Sequence, residues 1–407
     1  MPVGERIHSC AAAQLDAAVR LAARMVQIPS MPGQEGNVAA VLRKELESLH
    51  YDDVSVDAAG NVIGFIKGAG SGRSLLFNGH MDIVSAGDQA HWHADPFSGH
   101  VADGYLWGRA STDMKGPLAC QVYVAPLLRA AGLLPAGDIF VTAVVMEEVG
   151  GLGTQHLVSH LKADCAVVGE PSNCLLKRGH RGRTGLRVTI TGRAGHASTP
   201  DRAVNPHFVA AAFLLSLRDL PMATHAEFAS ATLAPTIYRS DNDSINVIPE
   251  SVSMHLDWRT VPGEKEDDML RALQERLDAV LLPGSRGTVA VEQDDMLSYA
   301  GMRMSLPSIF RSYALPADHW MVRSAEAALG GEPAGFWPFA TDGGHLYAAG
   351  IPPLGFGPGL EEHCHIADER ISIAQMERAL AGNALLALAL TGTEVGEDQA
   401  QPDKPQN

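Results

Sequence analysis

At 407 residues, 46% hydrophobic and 19% charged, the chain suits about two domains with substantial cores, and disorder is not its default. Its formal net charge of −16 disfavours nucleic acid or an anionic membrane surface as the main partner, since both call for basic patches. No apolar stretch reaches the roughly 18–20 residues of a membrane span, and Met1 to Cys10 lacks the basic-then-apolar order of a secretory signal.

Residues 11–50 carry helical periodicity in Leu15, Val19, Ala22 and Val26, then in Val38, Leu42 and Leu46, with a turn at Ile28–Gly33 between them. Short apolar runs at Val62–Ile66, Ser74–Phe77, Ile139–Met146 and Ala166–Val168 alternate with helical stretches. That order predicts an α/β fold: a largely parallel sheet covered by helices. Around Arg183 the texture changes. Arg187–Thr191 and Ser251–Asp257 alternate polar and apolar residues, as antiparallel strands with one wet face do. With helices expected near 203–219 and 264–281, residues 183–296 read as an α+β unit inserted into a discontinuous domain of residues 1–182 and 297–393. The latter continues with a helix at about 316–330, a strand near Leu354 and a last helix near 373–390. Residues 394–407 are polar, carry prolines and read as a disordered tail.

The chemistry-bearing residues sit at the ends of these elements. Ser74–Phe77 leads to Asn78-Gly79-His80-Met81-Asp82, where His80 and Asp82 share a face of an extended chain. Asp113 precedes Met114-Lys115-Gly116, and Glu147-Glu148 ends the apolar run Ile139–Met146. Glu170 follows Val167-Val168-Gly169, and His363 and His365 flank Cys364 ahead of Asp368-Glu369. Ligands gather at the carboxyl ends of strands in α/β folds. Each segment alone has an ordinary reading, such as a solvated acid or a helix cap. Five together offer nitrogen and oxygen donors without thiolates, which suits a catalytic zinc, cobalt or manganese centre. The five cysteines (Cys10, Cys120, Cys165, Cys174, Cys364) form no C-x-x-C pair and fit a reducing cytoplasm better than a disulfide framework.

These motifs, in this order, resemble the dinuclear zinc amidohydrolases that include acetylornithine deacetylase, succinyl-diaminopimelate desuccinylase, aminoacylase and glutamate carboxypeptidase. The resemblance runs from about Ala11 to Leu390. It implies that Asp113 bridges two metals, that His80 and Glu170 complete one site, and that Glu148 and His365 complete the other. His365 is preferred to His363 because the family's histidine precedes an x-x-acid-Glu stretch. Asp82 would orient His80, and Glu147 would be the general base for a metal-bridging water. The resemblance also makes residues 183–296 a lid or dimerisation domain. From it His196, in Gly195-His196-Ala197-Ser198, would reach a partner's site and stabilise the oxyanion. Asn246 and Arg259, with Arg181 as a weaker candidate, would contact substrate.

Two departures stand out: Gly344 and then His345 follow Asp342-Gly343 where many relatives carry arginine, and Arg109-Ala110 replaces Arg-Gly. Glutamate at Glu170 accompanies the deacylases and carboxypeptidases of the family. The expected protein is a cytoplasmic homodimeric deacylase of N-acylated amino acids. A dipeptidase or carboxypeptidase is the first rival, and a non-catalytic metal- or amino-acid-binding protein the second. A metallophosphatase is disfavoured because no basic or Gly-lined phosphate cradle accompanies the acids.

Overall fold

The computed structural model describes residues 1–70 and 72–392. The tail reading for 394–407 lies outside the described residues. A nine-stranded mixed sheet organises the larger part of the chain. Its order is 53–56, 62–66, 139–144, 75–80, 165–168, 353–355, 177–180 and 313–314, with Gly335–Trp337 also paired to 177–180. The centre is parallel, from 139–144 through 75–80 and 165–168 to 353–355. The flanks 53–56, 62–66 and 313–314 run antiparallel to their neighbours.

Alternate residues of the central strands feed cores on opposite faces, as strand geometry requires. Leu75, Phe77, Val141 and Val167 pack in the core that holds the helices Val3–Val26, Gly116–Val122 and Ile373–Thr391. Leu76, Val144, Ala166 and Val168 pack on the other face with Leu157 and Leu346. Burial on both faces explains why these strands read as continuous apolar runs.

The strand expected at Ser74–Phe77 continues as Leu75–His80, buried along its whole length. His80 pairs in register with Val144 of the parallel neighbour. Two strand ends therefore align, which brings His80 beside the turn that carries Glu147 and Glu148.

A second, five-stranded antiparallel sheet orders 232–240, 251–260, 182–191 and 286–291, with Ile309–Phe310 also on 182–191. Ser251–Thr260 alternates strictly between buried and half-buried residues. Its inward residues meet the helices Pro206–Ser216 and Glu266–Asp278 in a separate core around Ile190, Phe213, Trp258 and Leu273. The hairpin Gln293–Leu297/Arg303–Pro307 then returns the chain to the main core through Met296. Among the described residues no helix is long and apolar enough to cross a membrane.

Candidate active site

Five segments converge, those of His80, Asp113, Glu148, Glu170 and His365. His80 closes its strand with the Nδ1–H donating to the Asp82 carbonyl at 2.9 Å, which leaves Nε2 facing outward to Asp113 Oδ1 at 3.0 Å and Glu170 Oε1 at 3.5 Å. The other oxygen of Asp113 lies 3.2 Å from His365 Nε2, which is itself 3.0 Å from Glu148 Oε1. One carboxylate thus faces two imidazoles from opposite ends of the chain. His363 points elsewhere: its Nδ1 donates to the Arg370 carbonyl at 3.2 Å. Cys364 lines the same cleft, and burial, then Asp113 and Glu369, push its thiol far above the ordinary range.

Buried acids build the frame. The Asp82 carboxylate accepts the backbone N–H groups of Glu147 and Glu148, both at 3.0 Å, so it fixes the acidic turn as well as facing the His80 ring. Met146, just before that turn, has φ 58, and its N–H donates to Glu35 at 3.2 Å. Glu369, completely buried, accepts the N–H groups of Thr112 and Asp113 at 2.9 and 3.0 Å and the Arg109 guanidinium at 2.5 Å. It anchors Asp113 from behind.

The electrostatics fit cations. Burial pushes the pKa of Glu147 well above the usual range, and Asp342, Glu170 and Glu148 add to this against the pull of His80. Glu170 rises for the same first reason, with Asp113 adding to it. Burial opposes a charge on His80, yet Asp113, Glu170, Asp82 and Glu147 together hold its pKa well up. Two sets, His80-Glu147-Glu170 and His80-Asp113-Glu148, each bring ligand atoms within 4.8 Å of one another. A knot of buried acids with interleaved imidazoles matches the donor chemistry of a two-cation centre.

The cleft, about 470 Å³, is lined by Asp113, Glu147, Glu148, Glu170 and His365 on one side and by Arg183, Arg259 and Phe310 on the other. Arg259 and Arg183 are cross-strand partners, and both approach Asp257: Arg259 Nε at 2.7 Å and Arg183 Nε at 3.2 Å. Arg183 escaped the motif reading because it looks like an ordinary strand residue. Its signal was the register with Arg259, which only the fold supplies.

Other expected residues lie off this lining. Arg181 is spent on the carbonyls of Ser230 and Arg259 and on the Thr232 hydroxyl, at 3.1–3.2 Å. His196 is exposed, hydrogen-bonded to the Ser198 hydroxyl at 2.7 Å, and its short strand pairs with Val247–Ile248 beside Asn246. His345 is buried with Nε2 unpartnered and its ring 5.0 Å from Phe310. Gly344 packs so tightly that a Cβ there would sit 2.2 Å from the Arg311 carbonyl oxygen, so this backbone has no room for the arginine of many relatives.

Residues 76–389 match the model of peptidase family M20/M25/M40. The succinyl-diaminopimelate desuccinylase of Cereibacter sphaeroides is 29% identical over 381 residues, covering 88% of this chain and 95% of its own length. The uncharacterized protein YgeY of Escherichia coli K12 is also 29% identical over 381 residues, covering 91% and 93%. The solved aminopeptidase PepT of Bacillus cereus shares the fold at a TM-score of 0.74 and 18% identity, covering 92% of this chain and 98% of that one. With a match across most of its length and a metal-suited cleft at its strand ends, the chain is a metal-dependent hydrolase and belongs to peptidase family M20/M25/M40.

Proposed function

We propose that the protein hydrolyses the amide bond of an N-acylated amino acid at a centre of two divalent cations, with Glu147 moving the proton. The observation that carries this reading is Asp113, whose two oxygens face His80 at 3.0 Å and His365 at 3.2 Å. His80 and Glu170 would hold one cation, Glu148 and His365 the other, and Asp113 both; zinc suits the donors, with cobalt or manganese as alternatives. Bound cations would polarise the scissile carbonyl and acidify the attacking water.

The chain's own groups do the rest. Glu147 takes the proton from water and returns it to the leaving nitrogen. Burial, with the surrounding acids adding to it against the pull of His80, raises its pKa above the usual carboxylate range, the direction that favours a carboxyl able to hold a proton and pass it on. Asp82 holds the Glu147-Glu148 turn through two backbone N–H bonds. Arg259 and Arg183 across the cleft suit the free carboxylate of the substrate, with Asn246 as a further contact.

Residues 183–296 act as the lid and dimerisation unit in this reading. The edge strand Thr232–Ser240 and the exposed Phe208, Leu215 and Tyr238 support pairing with a second copy. His196 would then reach the cleft of that copy and stabilise the oxyanion. Five free cysteines favour a cytoplasmic location.

The test is release of amino acid from N-acetyl and N-succinyl amino acids and from dipeptides, each with and without chelator. Acyl substrates turned over faster, with loss on metal removal, support the proposal. Faster dipeptide turnover supports the peptidase reading, which the same arginines serve. Activity indifferent to chelation rejects the metal-centred mechanism.

A further inference from the structure

A second group of metal-ligating side chains lies outside the cleft. Helix Leu152–His160 follows the Glu147-Glu148 turn and presents His156 and His160, four residues apart and so on one face. Their rings lie 4.8 Å apart, and both face Asp57, in the turn between strands Asp53–Val56 and Val62–Ile66. His160 Nε2 is 3.6 Å and His156 Nε2 3.9 Å from Asp57 Oδ2. The three ligand atoms fall within 4.8 Å of one another.

Two details separate this group from a casual surface ion pair. His160 Nδ1–H donates to the His156 carbonyl at 3.1 Å, so Nε2 is the ring nitrogen turned toward the carboxylate and the one that can ligate when unprotonated. A backbone acceptor on one ring nitrogen is how metal-ligating histidines are commonly oriented. The spacings are also too long for hydrogen bonds. They lie close to the separation of about 3.4 Å for two ligands about 2.1 Å from a tetrahedral cation.

We propose that Asp57, His156 and His160 form a third cation site, selective for zinc-like divalent ions, that clamps the helix behind the catalytic turn. Two imidazoles and a carboxylate leave a tetrahedral ion one position for water, and the half-exposed His160 gives it access. The Asp57 turn is rigid before any ion arrives: Oδ1 accepts the N–H groups of Ala59, Gly60 and Asn61 at 2.9–3.0 Å. Asn61, fully buried, carries the connection inward. Its Nδ2 donates to Asp57 at 2.8 Å and to the Gly153 carbonyl at 2.9 Å, while its Oδ1 accepts the Val145 N–H at 3.0 Å. An ion here would tie both ends of the Glu147-Glu148 turn to one anchor without touching substrate.

The experiment is equilibrium dialysis of metal-stripped protein against buffered zinc, with metal per chain and melting temperature measured. Wild type should bind about three equivalents and a His156→Asn/His160→Gln double variant about two. The double variant should keep hydrolytic activity and lose the part of the zinc-dependent rise in melting temperature that belongs to the third equivalent. Asp57→Asn, which keeps Oδ1 as acceptor for the turn's N–H groups but sets an amide NH₂ against the Asn61 Nδ2–H donor, should bind the third equivalent at least about tenfold more weakly. Equal zinc binding by wild type and the double variant overturns the proposal. That result leaves the cleft reading untouched, because chelator-sensitive activity is measured separately.

Discussion

Glu369 offers the sharpest probe of how Asp113 is held. Glu369→Gln keeps the shape and one carbonyl oxygen for the N–H groups of Thr112 and Asp113, but it turns an amide NH₂ toward Arg109. Arg109 is nearly inaccessible, and its Nε already lacks a partner. The substitution therefore strands a buried guanidinium, a defect that typically costs about 3–5 kcal/mol. Removing the second charge as well, in Arg109→Met/Glu369→Gln, relieves that defect, so the double variant should be more stable than the single. Lost support behind a ligand commonly weakens metal binding about 10–100-fold, and the double variant should recover only part of this. Thermal and denaturant unfolding of metal-stripped protein, with zinc competition titrations, measure both quantities. A single variant as stable as wild type, or a double less stable than the single, would refute the argument that Arg109 and Glu369 are energetically one unit.

If Glu147 moves the proton as proposed, Glu147→Gln should retain the wild-type zinc stoichiometry while lowering kcat by about 10²–10⁴-fold, read by metal analysis and steady-state kinetics, because it would remove the proton shuttle and not a ligand. Arg259→Ala and Arg183→Ala should each lower kcat/KM by about 10–100-fold for carboxylate-bearing substrates, and much less for the corresponding amides. Gly344→Ala should destabilise the fold by about 1–3 kcal/mol in thermal unfolding, since its Cβ would meet the Arg311 carbonyl oxygen at 2.2 Å.

Stability should also fall in acid through His180 and His345, whose pKa values burial lowers to about 4. In His180, Nδ1–H donates to the Arg181 carbonyl, and Nε2 accepts the Thr341 N–H, so the neutral ring is satisfied and a second proton has no acceptor. The unfolded chain binds these protons near pH 6.5 and the native protein only near 4. The contribution is therefore whole above about 6.5 and disappears as pH falls toward 4, by up to about 3 kcal/mol for each residue. A pH series of melting temperatures should be less steep across that window for His180→Gln, and an unchanged slope would count against burial as the cause.

Much of this site was legible because local chemistry and global fold coincide at strand ends. Apolar runs buried on both faces announce the central strands, and the polar residues that stop them are the ones the parallel register then gathers: His80, Glu147, Glu148 and Glu170. His365 was legible only through resemblance. Its position depends on a loop with positive φ at His365 and Asp368, and nothing in the spacing of His363, Cys364 and His365 says which ring turns inward. The supporting acids stayed hidden for a different reason. Glu35 sits before an amphipathic helix and Glu369 before a short strand, so each resembles a solvated end residue until burial and the N–H groups it accepts are seen. Arg183 needed more than local environment, because its approach to Arg259 is set by antiparallel pairing across a long insertion. His196 shows the limit most clearly. Its motif was readable, yet within one chain it is exposed and lies off the cleft lining. A residue whose proposed work is done in a second copy has a sequence signature but no intrachain geometry to match it, so the test of His196 is whether inactive His196→Ala and Glu147→Gln chains, mixed and allowed to exchange, regain activity in one of their two cleft types.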